Sequence, residues 1–343
     1  MKFKAFIPIL NPLVILANEK EQEEFIYNTF KKMIYELNSE EEYPFCIGKE
    51  LVNGKIYVEE KDRKELEERY KIKNTFRLKY CLCILIEVDI NKFEDEYFEN
   101  QLIEKYSYTE NQIVSIRISN IVEEFKKTIN DLRIAINIAF PGFFDTHGGY
   151  IYVDNKKYDD LETSISGALL GAILGAREKQ WPKVKILPIK QTWNWILKRK
   201  DFINAIGSKP IERALSAFTH IFDANNYEDL FYSLIGIEAI YTSGKQGILE
   251  QLREKSVAIF GEPENYKNSL SKMYDIRSRF IHGALNFPSK YYIYDGIEEF
   301  DEFMMKEYSQ CLEMAEALLV ATIQQFVIND AEDLNYHLQI EFK

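Results

Sequence analysis

Arg277 and His282, with four residues between them in YDIRSRFIHG, are the pair in this 343-residue chain whose types and spacing suit acid–base chemistry on a phosphate. A histidine with an unperturbed pKa of about 6.5 exchanges protons at neutral pH, so it can serve an attacking 2′-hydroxyl or a leaving 5′-oxygen. An arginine offers phosphate oxygens a fixed fork of donors and stabilises charge that builds in a transition state. Five steps along an ideal helix rotate by roughly 500°, which leaves the two side chains roughly 140° apart. Long side chains at a loosened last turn still converge on one ligand, and more readily where a second subunit closes the site. The structural alternative is a histidine that caps the helix dipole and an arginine in a surface ion pair. One such pair at one spacing is a weak motif by itself.

The other histidines offer no competing site. His147 lies in a glycine-rich turn, His220 on a helix and His337 on the polar side of a terminal strand, none with a second His or Cys at metal-ligand spacing. Cys81 and Cys83 alternate in an apolar strand and share a face beside Leu85, which reads as buried thiols rather than half a zinc site. No metal and no cofactor is expected. The apolar start is interrupted by Pro8 and Pro12 and lacks a small-residue cleavage site. No stretch reads as the roughly 20 apolar residues of a membrane span. With its few cysteines, the chain is expected in the cytoplasm.

The helices that must hold Arg277 and His282 begin near Ile203. SKPIERALSAFTHIF opens on Ser208 as an expected N-cap, with Pro210 in the first turn. YEDLFYSLIGIEAIYTSG, GILEQLREKSVAIFG and PENYKNSLSKMYDIRSRFIHG close on Gly244, Gly261 and Gly283, as helices do just past their C-termini. A long helix from about 296 to 328 follows, with Met304, Tyr308, Cys311, Ala315, Leu318 and Thr322 as a packing seam. Gly167, Gly171 and Gly175 form a small-residue stripe suited to close packing against another helix. In the first half, alternation from Phe76 to Val88 predicts a long strand, and Val114, Ile116 and Ile118 predict a shorter one. Ile121, Phe125, Ile129, Leu132 and Ile136 predict a helix over 120–138, and 150–153 another strand. Leu334, Tyr336, Leu338, Ile340 and Phe342 alternate with polar residues, so a C-terminal strand is expected to return to the N-terminal sheet. The fold class is an α+β N-terminal domain followed by an all-α helical bundle.

Four blocks in order, IERALSAF, LFYSLIGIEAIYTSGKQG, ILEQLREKSVAIFG and MYDIRSRFIHG, resemble the HEPN (higher eukaryotes and prokaryotes nucleotide-binding) superfamily in its Apea-like branch. WPKVKILPIKQTWNWIL resembles the lead-in of that branch. The resemblance implies an Apea-like HEPN domain at 181–328, a sensor or regulatory domain at 1–180 and a terminal strand at 329–343. The family's Arg-x4–6-His motif falls on Arg277 and His282 as catalytic residues. Ser278 follows the arginine where many members carry Asn, His or Asp, and Glu238 matches an acidic supporting position. A structural partnership of Glu238 with Arg277 or Arg213 is the alternative. Tyr274 and Asp275 match the flank of the motif and read as structural. Such proteins cleave RNA without metal, leave a cyclic phosphate and a 5′-hydroxyl, and dimerise so that two motifs line one cleft. The resemblance therefore implies a homodimeric endoribonuclease, a bacterial antiphage or toxin effector acting on RNA, with a phage-derived or nucleotide trigger for the first domain. Other members have lost catalysis, so a silent module that binds a partner protein or nucleotide is the competing expectation.

Charge limits how such a protein meets RNA. Lys+Arg 43 against Asp+Glu 55 gives a net charge of −12, which speaks against indiscriminate RNA binding. Between Arg177 and Lys200, however, eight basic residues meet one acid, Glu178, and all three tryptophans lie there. Basic residues interleaved with aromatics suit a single strand. Lys183, Lys185, Lys190, Lys198 and Arg199, with Arg279 of the motif, are candidate RNA contacts. The alternative is a solvated face with Trp193 and Trp195 as structural anchors. The eight acids of 295–316 read as solvated surface.

Overall fold

Strict alternation in β1 (Lys2–Leu10) sends Phe3, Ala5, Ile7 and Ile9 to one side, where all four are fully buried. In the computed structural model, residues 1–12, 19–39, 41–61, 64, 78–94, 96–146, 148–161, 169–222, 228–244, 247–263, 268–285 and 307–336 are described. β1 is followed by α1 (Lys20–Leu37), β2 (Glu42–Ile47), β3 (Glu50–Glu60) and β4 (Leu78–Glu87). Next come α2 (Glu96–Tyr106), α3 (Glu110–Ala139), β5 (Asp145–Thr146), β6 (Tyr150–Val153) and β7 (Lys156–Asp160). The strands form an antiparallel sheet in the order β2-β3-β4-β1-β6-β7, with β5 also paired to β1. Rings carry the helix–sheet packing: Phe30 of α1 lies 5.8 Å from Tyr80 and Phe125 of α3 lies 6.4 Å from Phe45. On the opposite face, Phe6 pairs with Cys83 and Lys4 with Leu85, so the two thiols share a face as expected.

The strand expected at Val114–Ile118 is instead the first turns of α3. Three alternating residues mimic a strand. Ile113 is buried, however, and extends the helical spacing of Ile121 and Phe125 backward. The start is set by Thr109, whose N–H donates to the Gln112 side chain at 2.8 Å, half of a reciprocal capping box.

The second unit is helical: α4 (Leu169–Lys179), α5 (Ile189–Leu197), α6 (Lys200–Ile203), α7 (Pro210–Thr219), α8 (Asp229–Tyr241), α9 (Ile248–Phe260), α10 (Ser269–Ile281) and α11 (Ser309–Ile328). The chain divides into Met1–Leu13, Glu24–Ile136 and Phe143–Ile165 on one hand, and Val14–Glu23, Asn137–Gly142 and Ser166–Lys343 on the other. The division thus falls near 165 rather than at 180, because α4 packs on α11. The architecture is α+β, an antiparallel sheet unit followed by helices.

α11 is the centre of the helical unit and packs against α4, α5, α7, α8 and α10. Tyr308, Cys311, Ala315, Leu318 and Thr322 are buried, as the seam predicts, while Met304 lies outside the described residues. α11 is also long and apolar enough to cross a bilayer, against expectation, but 78% of that window is buried inside the protein. Small residues let its neighbours approach. A Cβ on Gly236 of α8 would meet Leu319 Cδ1 at 2.8 Å, and one on Gly175 of α4 would meet Glu313 Oε2 at 3.1 Å. Gly167 of the same stripe lies outside the described residues.

Three other expectations change. Pro210 takes the first helical position of α7, so the N-cap is Lys209, whose N–H donates to Glu212 at 3.0 Å, and the Ser208 hydroxyl donates to Asp201 instead. The acidic run is not solvated at its helical end: Glu316 is 3% exposed. Burial, reinforced by Asp229 and Glu313, holds its carboxyl well above the usual range. Residues 331–336 are irregular rather than strand, and 337–343, like His147, lie outside the described residues.

Candidate functional site

Helix α10 buries Leu270, Met273, Ile276 and Phe280, a stripe at spacings of three and four. Phe280 is gripped edge-on by Phe231 at 5.8 Å and Tyr308 at 6.3 Å, which anchors the last turn. Residue 277 falls beside this stripe and residue 278 outside it, so Arg277 is half-buried and Ser278 exposed. The helix ends at His282, whose N–H donates to Ser278 O at 2.9 Å, and the next residue, Gly283, takes φ +73°. That left-handed step costs glycine little and turns the chain away. The His282 side chain is exposed and makes no hydrogen bond or ion pair among the described residues.

Arg277 has a partner. Its Nη2 donates to Glu238 Oε2 at 3.5 Å, with side chains 30% and 18% exposed. Tyr274, one turn before Arg277, donates its hydroxyl to Glu238 Oε1 at 2.8 Å. Its ring centre lies 5.8 Å from Arg277 Cζ. Burial, then the adjoining carboxylate, pushes ionisation of the Tyr274 phenol far up, with Arg277 opposing, so the phenol stays a donor. Glu238 and Arg277 thus come together on α8 and α10, while Arg213 turns to the Ser208 carbonyl. Tyr274 is the member that sequence reading left as structural; its place three residues before Arg277 on one helix was the available signal. Arg279 pairs with Asp275 at 3.7 Å rather than standing alone.

The basic segment is not the free surface its composition suggests. Arg199 is 1% exposed; it donates to Glu332 Oε1 at 2.8 Å and Ala331 O at 2.9 Å, and its Cζ lies 4.6 Å from the Trp195 ring centre. Lys198 pairs with Asp330 at 2.6 Å. Both tie α5–α6 to the chain after α11; burial removes Arg199 from contact with RNA, whereas Lys198 stays 54% exposed. All three tryptophans are buried, with Trp181 bonded to Gly261 O and Trp195 to Ala331 O, so none offers a stacking face. Lys183 and Lys185 are exposed and Lys190 partly so; the Lys185 backbone is held at both ends by the Gln324 amide. His220 stacks on Tyr232 at 4.4 Å.

Among the described residues no three His, Cys, Asp or Glu side chains gather to hold a metal ion. No protein-family model, no curated protein and no solved structure matches the chain. The arrangement that remains is a chemical one. A half-buried guanidinium, steadied by a carboxylate, shares a helix end with an exposed imidazole.

Proposed function

We propose that this protein is a metal-independent endoribonuclease of the Apea-like HEPN type, acting as a homodimer in bacterial antiphage defence or as a toxin. The observation that carries the reading is the end of α10, where Arg277 rests on Glu238 and His282 is exposed and unengaged among the described residues. In this reading a neutral His282 takes the proton of a 2′-hydroxyl, whose oxygen attacks the adjacent phosphorus. Arg277 neutralises the phosphate oxygens as charge builds. The 5′-oxygen leaves with a proton from the imidazolium of the second copy, giving a cyclic phosphate and a 5′-hydroxyl. Ile281, 57% exposed beside His282, and Ile235, 50% exposed one turn from Glu238, suit the seat of that second copy. The sheet unit takes the role of sensor.

Purified protein is expected to cut RNA in EDTA, with 5′-hydroxyl ends found on sequencing and lost in His282→Ala. Cleavage that survives that substitution overturns the assignment. A second reading, a silent module that binds a protein or nucleotide, is favoured by one observation: Arg199 is buried and bound to Glu332, so it is withdrawn from any RNA contact. It predicts no cleavage under any condition with the fold and dimer intact.

A further inference from the structure

We infer that Tyr274 is a positioning residue for Arg277, acting through Glu238; its kinetic consequence rests on the ribonuclease reading, but the geometry behind it does not. An arginine carries five N–H donors on a flexible stem and reads phosphate well only when the fork is held still. Among the described residues, Arg277 makes one hydrogen bond, from Nη2 to Glu238 Oε2, and at 3.5 Å it is a long one. Such a contact orients the guanidinium only if the carboxylate cannot turn. Tyr274 supplies that restraint by donating to the other oxygen, Oε1, at 2.8 Å. Its ring, 5.8 Å from Cζ, is within the range over which a cation is attracted to an aromatic ring. Carboxylate and ring therefore bound the guanidinium, and its remaining donors are left for phosphate oxygens. Because burial and Glu238 keep the proton on the phenol, the restraint persists across neutral and mildly alkaline pH.

The arrangement differs from a plain structural hydrogen bond in what it couples. A tyrosine that only filled the space between α8 and α10 would affect stability and leave the chemistry of each folded molecule untouched. A positioning tyrosine changes turnover through Arg277 and through nothing else. Tyr274→Phe removes the hydroxyl and keeps the ring, so the packing survives. In EDTA, kcat for RNA cleavage should fall roughly tenfold, the scale of one hydrogen bond to a charged group, with KM changed less than about twofold. The thermal midpoint should fall by only a few degrees, because one hydrogen bond is lost while the ring packing is kept. In an Arg277→Lys background the same substitution should lose less than about twofold more, because the fork it orients is gone. Wild-type kcat in Tyr274→Phe, or fully additive losses in the double variant, would overturn the inference.

A measurement without turnover separates this inference from the enzyme assignment. With 15N-labelled arginine, the Arg277 Nε–H signal should report a less ordered side chain in Tyr274→Phe than in wild type. An unchanged signal overturns the positioning role. A changed signal in a protein that fails to cut RNA leaves the positioning role standing and removes the ribonuclease reading.

Discussion

Two arginines of the helical unit, Arg199 after α5 and Arg277 near the end of α10, have opposite circumstances. Arg199 is buried, stacked near Trp195 and bonded to both Ala331 and Glu332. Arg277 is 30% exposed and touches one carboxylate at 3.5 Å. The first lies in the most basic stretch of the chain and is buried, with both terminal nitrogens bonded within the fold; the second lies in a mixed stretch, is partly exposed and keeps donors to spare. Local charge density therefore says little about which cation can meet a ligand. What decides is whether neighbouring acceptors have already used it.

Substituting each arginine in turn tests this contrast, and the largest effect is expected at the site. Arg277→Ala should lower RNA cleavage by at least about 100-fold, the scale of losing a transition-state donor, and leave urea unfolding nearly unchanged. Arg199→Ala should do the reverse, costing about 2 kcal/mol in urea unfolding through two lost hydrogen bonds and lost packing, while cleavage per folded molecule holds. The contrast breaks if either variant loses both properties. Gly236→Ala should fall between them. A Cβ there meets the Leu319 side chain at 2.8 Å, so Leu319 must repack or α8 must shift on α11, at a cost of about 1 kcal/mol; a shift of α8 also lowers cleavage, because Glu238 is two residues on. Urea unfolding and cleavage measured on the same sample would show both.

The smallest effect sharpens the tie at Arg199. Lys209, and then Arg199, hold the Glu332 carboxyl below its ordinary value of 4.5. A lowered folded-state value means stability that is present above 4.5 and is lost as pH falls through the depressed value. Glu332 is 53% exposed, so the amount is small. Thermal midpoints of wild type should exceed those of Glu332→Gln above pH 4.5 and converge with them in acid. A gap that persists in acid would show that the tie does not depend on the charge of Glu332.

The elements that were legible in the sequence are those with dense local signals. The strand around Cys81 and Cys83 alternates over many residues, and Gly261 and Gly283 take φ +80° and +73° directly after their helices, where other residues are strained. Val114, Ile116 and Ile118 misled because three alternating residues also fit a helix, and the stronger cue was Thr109 with Gln112. Solvation of the acidic run failed at Glu316 for a different reason. Its burial depends on α8 and its Asp229, which no reading of α11 alone contains. The candidate site was partly legible. Arg277 and His282 lie in one short motif, whereas Glu238 is 39 residues from Arg277 and was reached through family likeness. The fate of Arg199 was hidden, since its acceptor Ala331 is 132 residues away.

The position of α11 in the chain has a consequence for biosynthesis. It is the hub against which α4, α5, α7, α8 and α10 bury their apolar faces, and it is made after all of them. While the ribosome is still short of Ile328, those five helices can pack only on one another, and the faces they turn to α11 stay uncovered. The helical unit therefore closes only once α11 has emerged from the ribosome. A chain cut short before Ser309 should be caught by proteases instead of accumulating as a partial enzyme.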